Sequence, residues 1–211
     1  MKFIFHIRIV LICIPILLTL ETSTTFSTQK VSQQTRVHAQ KILNHFSSTH
    51  TMTGDFMQFS PRGEVTEGTF YMERPGKIRF TYKKIPIRVI SDGQSVAVNN
   101  RKLDTWSLYQ LQKTPMKLLL SEHIDISNDN LVEFREESKA IILVILDKSI
   151  GQSKIQMIFD PKTYELRQWT IIDRQNLKTT ILLINTRTGV RFANDIFNID
   201  YQRISMKRKN R

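Results

Sequence analysis

From Gly54 onward the chain is a nearly unbroken series of short segments in which apolar and polar residues alternate or β-branched residues dominate. No other feature limits its fold as strongly. The segments are Asp55–Phe59, Thr66–Glu73, Lys77–Tyr82, Arg88–Ser91, Ser95–Val98, Thr105–Leu108, Leu131–Arg135, Ala140–Leu146, Lys154–Phe159, Leu166–Ile172, Lys178–Asn185 and Ile196–Ile199. Alternation with period two places one set of side chains on one face of a strand and the other set on the opposite face. Turn chemistry separates the segments at Asp92-Gly93, Asn99-Asn100 and Asp160-Pro161. The reading is about 10–12 antiparallel strands joined mostly by hairpins.

Two helical signals accompany the strands. Gln29 to Ser48 contains neither Gly nor Pro, and Val31, Thr35, Ile42, Leu43 and Phe46 can share one stripe of an amphipathic helix. In "TPMKLLLSEH", Thr114 is placed to cap a short helix with Pro115 at its first position, turning Leu118, Leu119 and Leu120 toward whatever lies beneath. An antiparallel sheet with one apolar face must bury that face. It can split into a sandwich, close into a barrel, or curl into an open half-barrel plugged by the helices, which would leave a lined apolar cavity. Composition does not choose among the three. The fold class is mainly β (α+β), in one domain.

The first residues read as an export signal. Lys2 and Arg8 precede an apolar run from Ile9 to Leu20 that contains Pro15, and the polar stretch "ETSTTFST" follows. A membrane span needs about 20 apolar residues, more than this run provides. Cys13 follows Ile12, where lipid attachment wants a small residue, so it reads as part of the apolar segment. The signal peptide is set at residues 1–25, with cleavage between 21 and 29. Cys13 is the only cysteine, so the exported part uses no disulfide. That suits a bacterial periplasm and a core large enough to hold by itself.

The chain carries a formal net charge of +12 from 31 basic and 19 acidic residues. Five of the basic ones sit in the last nine residues, "RISMKRKNR", so the body is only mildly basic. No recognition-helix pattern or RNA-binding aromatic signature accompanies the charge, and no nucleic acid is expected as partner. Residues 203–211 read as a solvated basic tail that can approach anionic membrane surfaces.

Catalytic and metal-binding patterns do not emerge, and the chain is not read as an enzyme. His38 and His45 could share a helix face, but no third ligand follows at metal spacing, and His50 and His123 stand alone. Adjacent Glu136 and Glu137 point to opposite faces of a strand. A phosphate-binding glycine loop, a nucleophile elbow and a cysteine nucleophile are all missing from the exported sequence.

One position breaks the alternation. In "GTFYMERPGKIRFTY", Gly68 to Tyr82, Phe70, Met72, Ile78 and Phe80 share a face, and continuing the pattern puts Arg74 on it too. A guanidinium at that place either snorkels to solvent beside the Pro75-Gly76 turn or finds hydrogen-bond acceptors within the apolar wall.

The ordered set "MTGDFMQFS", "GTFYMERPGKIRFTY", "IRVISDGQSVAV" and "TPMKLLLSEHIDI" resembles the LolA family of periplasmic carriers of outer-membrane lipoproteins. The likeness runs from about residue 36 to 200 and thins after Leu131, with the domain set at 29–200. Phe80 stands where family members often carry Trp, and the basic end "MKRKNR" is outside the pattern.

The resemblance implies an unclosed β-barrel with a helical lid over a hydrophobic cavity. It implies a carrier that takes acylated lipoproteins from an inner-membrane lipoprotein-releasing ABC transporter and passes them to an outer-membrane acceptor protein or the outer membrane, acting as a monomer without cofactor or metal. Phe56, Phe70, Met72, Ile78, Phe80, Tyr82, Val89, Leu118, Leu119, Met157 and Trp169 become the expected acyl-chain wall, and Arg74 the latch that holds the lid closed. Met52, Met57, Met72, Met116 and Met157 suit such a pocket, because a thioether repacks around variable chains, and they suit an ordinary core equally. A second reading keeps the half-barrel as a lipid- or lipoprotein-binding sensor that signals to a membrane partner. Such sensors carry a further domain, for which the exported length leaves no room, so the carrier is the expected role.

Overall fold

The computed structural model describes residues 31–127, 130–148 and 153–209, with side chains to Met206. The expected signal peptide and the first residues of the expected helix lie outside the described residues. Helix α1 spans Gln33–Ser48 and starts at Ser32, whose hydroxyl accepts the Thr35 N–H. Its buried face is Ala39, Ile42, Leu43, Phe46 and Ser47, while Val31 and Thr35, at the open end of the expected stripe, are half-buried.

Eleven strands follow: β1 (Thr51–Phe59), β2 (Val65–Glu73), β3 (Lys77–Tyr82), β4 (Ile87–Asp92), β5 (Ser95–Asn100), β6 (Thr105–Gln110), β7 (Leu131–Glu137), β8 (Ala140–Asp147), β9 (Ser153–Phe159), β10 (Leu166–Ile172) and β11 (Lys178–Thr188). They form one sheet in the order β6-β5-β4-β3-β2-β1-β11-β10-β9-β8-β7, and every neighbouring pair is antiparallel. Two meanders meet at β1 and β11, and β6 and β7 remain as edges, so the sheet is not closed into a barrel.

The sheet nevertheless curls. Strands β3 and β10 are four places apart, about 19 Å in a flat sheet, yet the Phe80 and Trp169 ring centroids lie 6.2 Å apart. The bend is permitted at Gly68, where a Cβ would stand 2.2 Å from the Thr81 carbonyl oxygen and 2.7 Å from the Phe56 ring. Any side chain there would push Phe56 off the wall.

The chain passes from edge to edge through residues 111–130. This crossover holds a 3-10 turn at Leu111–Lys113 and the one-turn helix α2, Met116–Leu119. Thr114 does not cap α2 as expected: Pro115 occupies the cap position without a side-chain bond, and the Thr114 hydroxyl donates back to the Leu111 carbonyl. The crossover is tied to α1 by Gln40, whose amide donates to the Ile124 carbonyl at 2.8 Å and accepts the Ile126 N–H at 3.2 Å.

Three local expectations fail, the first because alternation reports one-sided burial, whereas a strand also needs a ladder. Ile196–Ile199 forms no strand. It lies on the outer face, with Phe197 and Ile199 buried and the Ile196 carbonyl accepting from Arg79 at 3.1 Å. Asn99 and Asn100 belong to β5, and the turn comes after them, where the Asn100 side chain accepts the N–H groups of Lys102 and Leu103. The basic end does not run free from Arg203. Residues Tyr201–Lys209 form helix α3, capped by Asp200, which accepts the Arg203 N–H at 2.9 Å. Ile199 and Ile204 pack on Ile90 and Ala97, with Trp106 and Leu108 beside them, as a small second core on the outer face.

Candidate functional site: a lidded inner wall

The inner face carries the main core. Parity along β2 and β3 sends Phe70, Met72, Ile78 and Phe80 to the same side, because Phe70 stands opposite Phe80 and Met72 opposite Ile78. Phe56 joins them from β1 with edge-on contacts to Phe80 at 5.0 Å and Tyr82 at 5.1 Å. Tyr82, Val89, Leu118, Leu119, Met157 and Trp169 belong to the same packed cluster, so the structure brings together all eleven residues of the expected wall. Of the five methionines, Met57 is the exception. It is half-buried, lies outside the inner cluster and stands in register between Glu67 and Leu182.

The lid consists of α1 and the crossover. Ile42, Leu43 and Phe46 from α1 and Leu119, Leu120, Ile124 and Ile126 from the crossover are buried in the same cluster. Phe46 meets Phe159 of β9 at 5.8 Å, edge to face. Several of these lid residues were legible only as generic helical or apolar positions; Ile124 and Ile126, in a stretch without secondary structure, were legible only as the end of the motif "TPMKLLLSEHIDI".

Arg74 joins wall to lid. It is 5% exposed, and it does not snorkel. One terminal nitrogen, Nη1, donates to the carbonyls of Phe46 at 3.1 Å and Thr49 at 2.6 Å, and the other, Nη2, donates to the carbonyl of Leu119 at 3.2 Å. The guanidinium also lies 3.9 Å from the Phe46 ring centroid, a cation–π geometry. Burial pushes its pKa down to about 10, so it remains charged at neutral pH. These carbonyls belong to the C-terminal end of α1, where the Phe46 carbonyl also accepts the Thr49 N–H at 3.2 Å, and to α2; helix C-termini carry partial negative charge. A fixed cation is therefore matched to two helix ends at once.

The turn around Arg74 is built from the "S-D-G" segment. The Ser91 hydroxyl donates to the Gly76 carbonyl at 2.7 Å, and the Gly76 N–H donates to the Leu120 carbonyl at 2.9 Å. Gly76 has φ +78°, and a Cβ there would meet the Gly93 Cα at 2.7 Å, which explains glycine at both tips.

Among the described residues, other titratable groups do not gather into a reactive cluster. His38 and His45 both pack against the Tyr164 ring, and no group of three metal-ligating side chains occurs among the described residues. No helix among them is long and apolar enough to cross a membrane.

The solved structures to which the chain is similar are distant in sequence. A conserved protein of Thermus thermophilus is 9% identical over 76% of this chain and 92% of that one, with a TM-score of 0.51. A chain of the Pseudomonas aeruginosa MucA/MucB complex is 16% identical with a TM-score of 0.48, over 77% of this chain, which spans only 61% of that longer one. A LolA superfamily protein of Nitrosomonas europaea is 9% identical over 77% of this chain and 98% of that one, with a TM-score of 0.41. No curated protein sequence matches significantly. The family model for the outer membrane lipoprotein carrier protein LolA, however, matches residues 47–200, from the end of the α1 lid through all eleven strands, and the chain belongs to the LolA family.

Proposed function

We propose that this protein is a periplasmic carrier that shields the acyl chains of lipoproteins released from the inner membrane and delivers them to the outer membrane. The observation that carries this reading is the buried Arg74, which ties the apolar wall to both parts of the lid through main-chain carbonyls alone. Main-chain acceptors can be released and re-engaged without rearranging side-chain partners. An ordinary filled core has no need of a charge at its centre, since burying one costs energy unless it is fully bonded.

The cargo supplies the energy to open the lid. Each methylene moved from water into an apolar wall contributes about 0.8 kcal/mol, so one long acyl chain contributes on the order of 10 kcal/mol. That is enough to separate the α1 and α2 carbonyls from Arg74 and to replace lid contacts at Phe80, Trp169, Met72 and Met157 with acyl contacts. On delivery, re-formation of the three arginine bonds favours the closed state and helps expel the chain. The carrier's own side chains perform no covalent step.

The test is mass spectrometry of protein isolated from a Gram-negative periplasm. Acylated protein should accompany the carrier and be lost when the wall is altered at Phe80. Isolation always free of acylated protein and lipid would overturn the carrier. Co-isolation of a stable membrane signalling protein without acyl cargo would favour the sensor.

A further inference from the structure

Outside the lidded wall, cationic and exposed apolar groups converge on one part of the outer face. Across β3, β4, β5 and β6 the register aligns Thr81, Arg88, Asn99 and Trp106 in a row. Arg88 donates from Nε to Asn99 Oδ1 at 2.9 Å and lies 5.2 Å from the Trp106 ring centroid. Arg79, Arg101 and Arg203 stand close enough to lower its pKa, after burial, by their repulsion, and Asp200 opposes them. Arg203 is held at the β5–β6 turn by Asp104, at 2.7 Å. Beyond it the sequence of α3 continues Lys207-Arg208-Lys209.

The turn itself is built for presentation. Asn100 accepts the N–H groups of Lys102 and Leu103, each at 3.1 Å, and the Arg101 N–H donates to the Pro86 carbonyl at 2.7 Å. The tip is therefore rigid. It shows Arg101 and Lys102, exposed and without an ion pair among the described residues, beside Leu103, which is 66% exposed. On α3, Met206 is 62% exposed next to the basic run. Arg101 and Lys102 add like charge beside Arg79, Arg88 and Arg203, beyond what Asp104 and Asp200 offset, and gathered like charges cost stability. Exposed leucine and methionine among them serve neither folding nor solubility.

We infer that the β5–β6 turn and α3 form a docking surface for an anionic phospholipid bilayer, in which Arg101, Lys102 and Arg203 meet lipid phosphates while Leu103 and Met206 enter the interface. A free phosphate or an acidic protein would satisfy the cations and leave the two apolar side chains unexplained, whereas a bilayer satisfies both. The Arg74 turn belongs to the β2–β3 end of the strands and the β5–β6 turn to the opposite end, so docking leaves the latch free to work. The inference does not depend on acyl cargo: a half-barrel that carried nothing would dock equally.

The test is co-sedimentation of the purified protein with phosphatidylglycerol–phosphatidylethanolamine vesicles and with phosphatidylcholine vesicles, at low and high salt. Binding is expected to the anionic vesicles only and to weaken with salt. Reversing two cations, R101E/K102E, should weaken it about tenfold or more. Leu103→Ser should weaken it severalfold while leaving the salt dependence unchanged. K139E/K162E, which makes the same charge change at exposed residues of the other half-sheet, should bind like the wild type, and all variants should melt like it. Equal loss in K139E/K162E would reduce the effect to net charge and overturn the inference. So would wild-type binding to neither vesicle or to both alike, or an unchanged Leu103→Ser, which would mean anion attraction without membrane insertion.

Discussion

Replacing Arg74 with leucine separates the latch from the wall it sits in. Bonds from a charged donor are worth about 1.5–3 kcal/mol each, and the structure shows three. Against them stands the cost of burying the guanidinium. The fall of its pKa from 12.5 to about 10 converts at 1.36 kcal/mol per unit to roughly 3 kcal/mol, all of it recovered when the lid opens. The net preference for the closed lid is therefore roughly 1–6 kcal/mol, or from about fivefold to about ten-thousandfold in the closed-to-open ratio. Arg74→Leu removes that preference and adds apolar surface for cargo. The variant should load acylated protein and release it poorly to outer-membrane vesicles, so cargo accumulates on it. Amides in the last turn of α1 and in α2 should exchange hydrogen faster when cargo is absent. Arg74→Lys should behave similarly, because one ammonium cannot reproduce the guanidinium fork. Normal transfer together with unchanged exchange would refute the latch, and failure to load would show that Arg74 serves loading instead.

Phe80→Glu places an unpaired carboxylate among Phe56, Phe70 and Trp169; it should cost at least about 3 kcal/mol and abolish acyl-chain binding. Thr81→Glu, the next residue and in register with Arg88, should leave both within error, and equal effects in calorimetry and lipid binding would refute the assigned face. Burial pushes Tyr82, which donates to Gln58 at 2.6 Å, up to about 12. Its contribution is present below pH 10 and lost as pH rises toward 12, worth up to about 2–3 kcal/mol. The pKa of Arg74 falls, so its contribution changes in the opposite sense over the same range. Tyr82→Phe should therefore keep more of its stability than the wild type above pH 10, and parallel alkaline melting curves would refute the burial argument. Truncation after Ile204 should leave the melting temperature nearly unchanged, whereas truncation after Ile199 removes the buried Ile204 and should cost about 1.5–3 kcal/mol. Equal melting of the two would mean that α3 does not support the sheet.

Much of this fold is local enough to be written in the sequence. Lys77–Tyr82 and Leu166–Ile172 are strands at their expected bounds, and the other nine strands differ from expectation only at their ends. Period-two burial is a property of the strand itself, so parity alone carried Arg74 onto the face of Phe70 and Phe80. Nine of the eleven expected wall residues lie in the family motifs, whereas Met157 and Trp169 lie beyond them, and all eleven pack in one cluster.

Other features depend on contacts between distant segments. Ile196–Ile199 alternates like a strand but settles across the outer face, since its apolar side chains are satisfied there without a ladder. The basic end reads as solvated because five charges dominate its composition, yet Ile199 and Ile204 find Ile90 and Ala97 and anchor a helix. Above all, the partners of Arg74 are carbonyls of Phe46, Thr49 and Leu119, groups that every residue possesses. Sequence determined that Arg74 would share the face of an apolar wall, and left open whether its guanidinium would snorkel out of it. Only the tertiary structure, by bringing the end of α1 and the α2 turn over that wall, decided what would bond it.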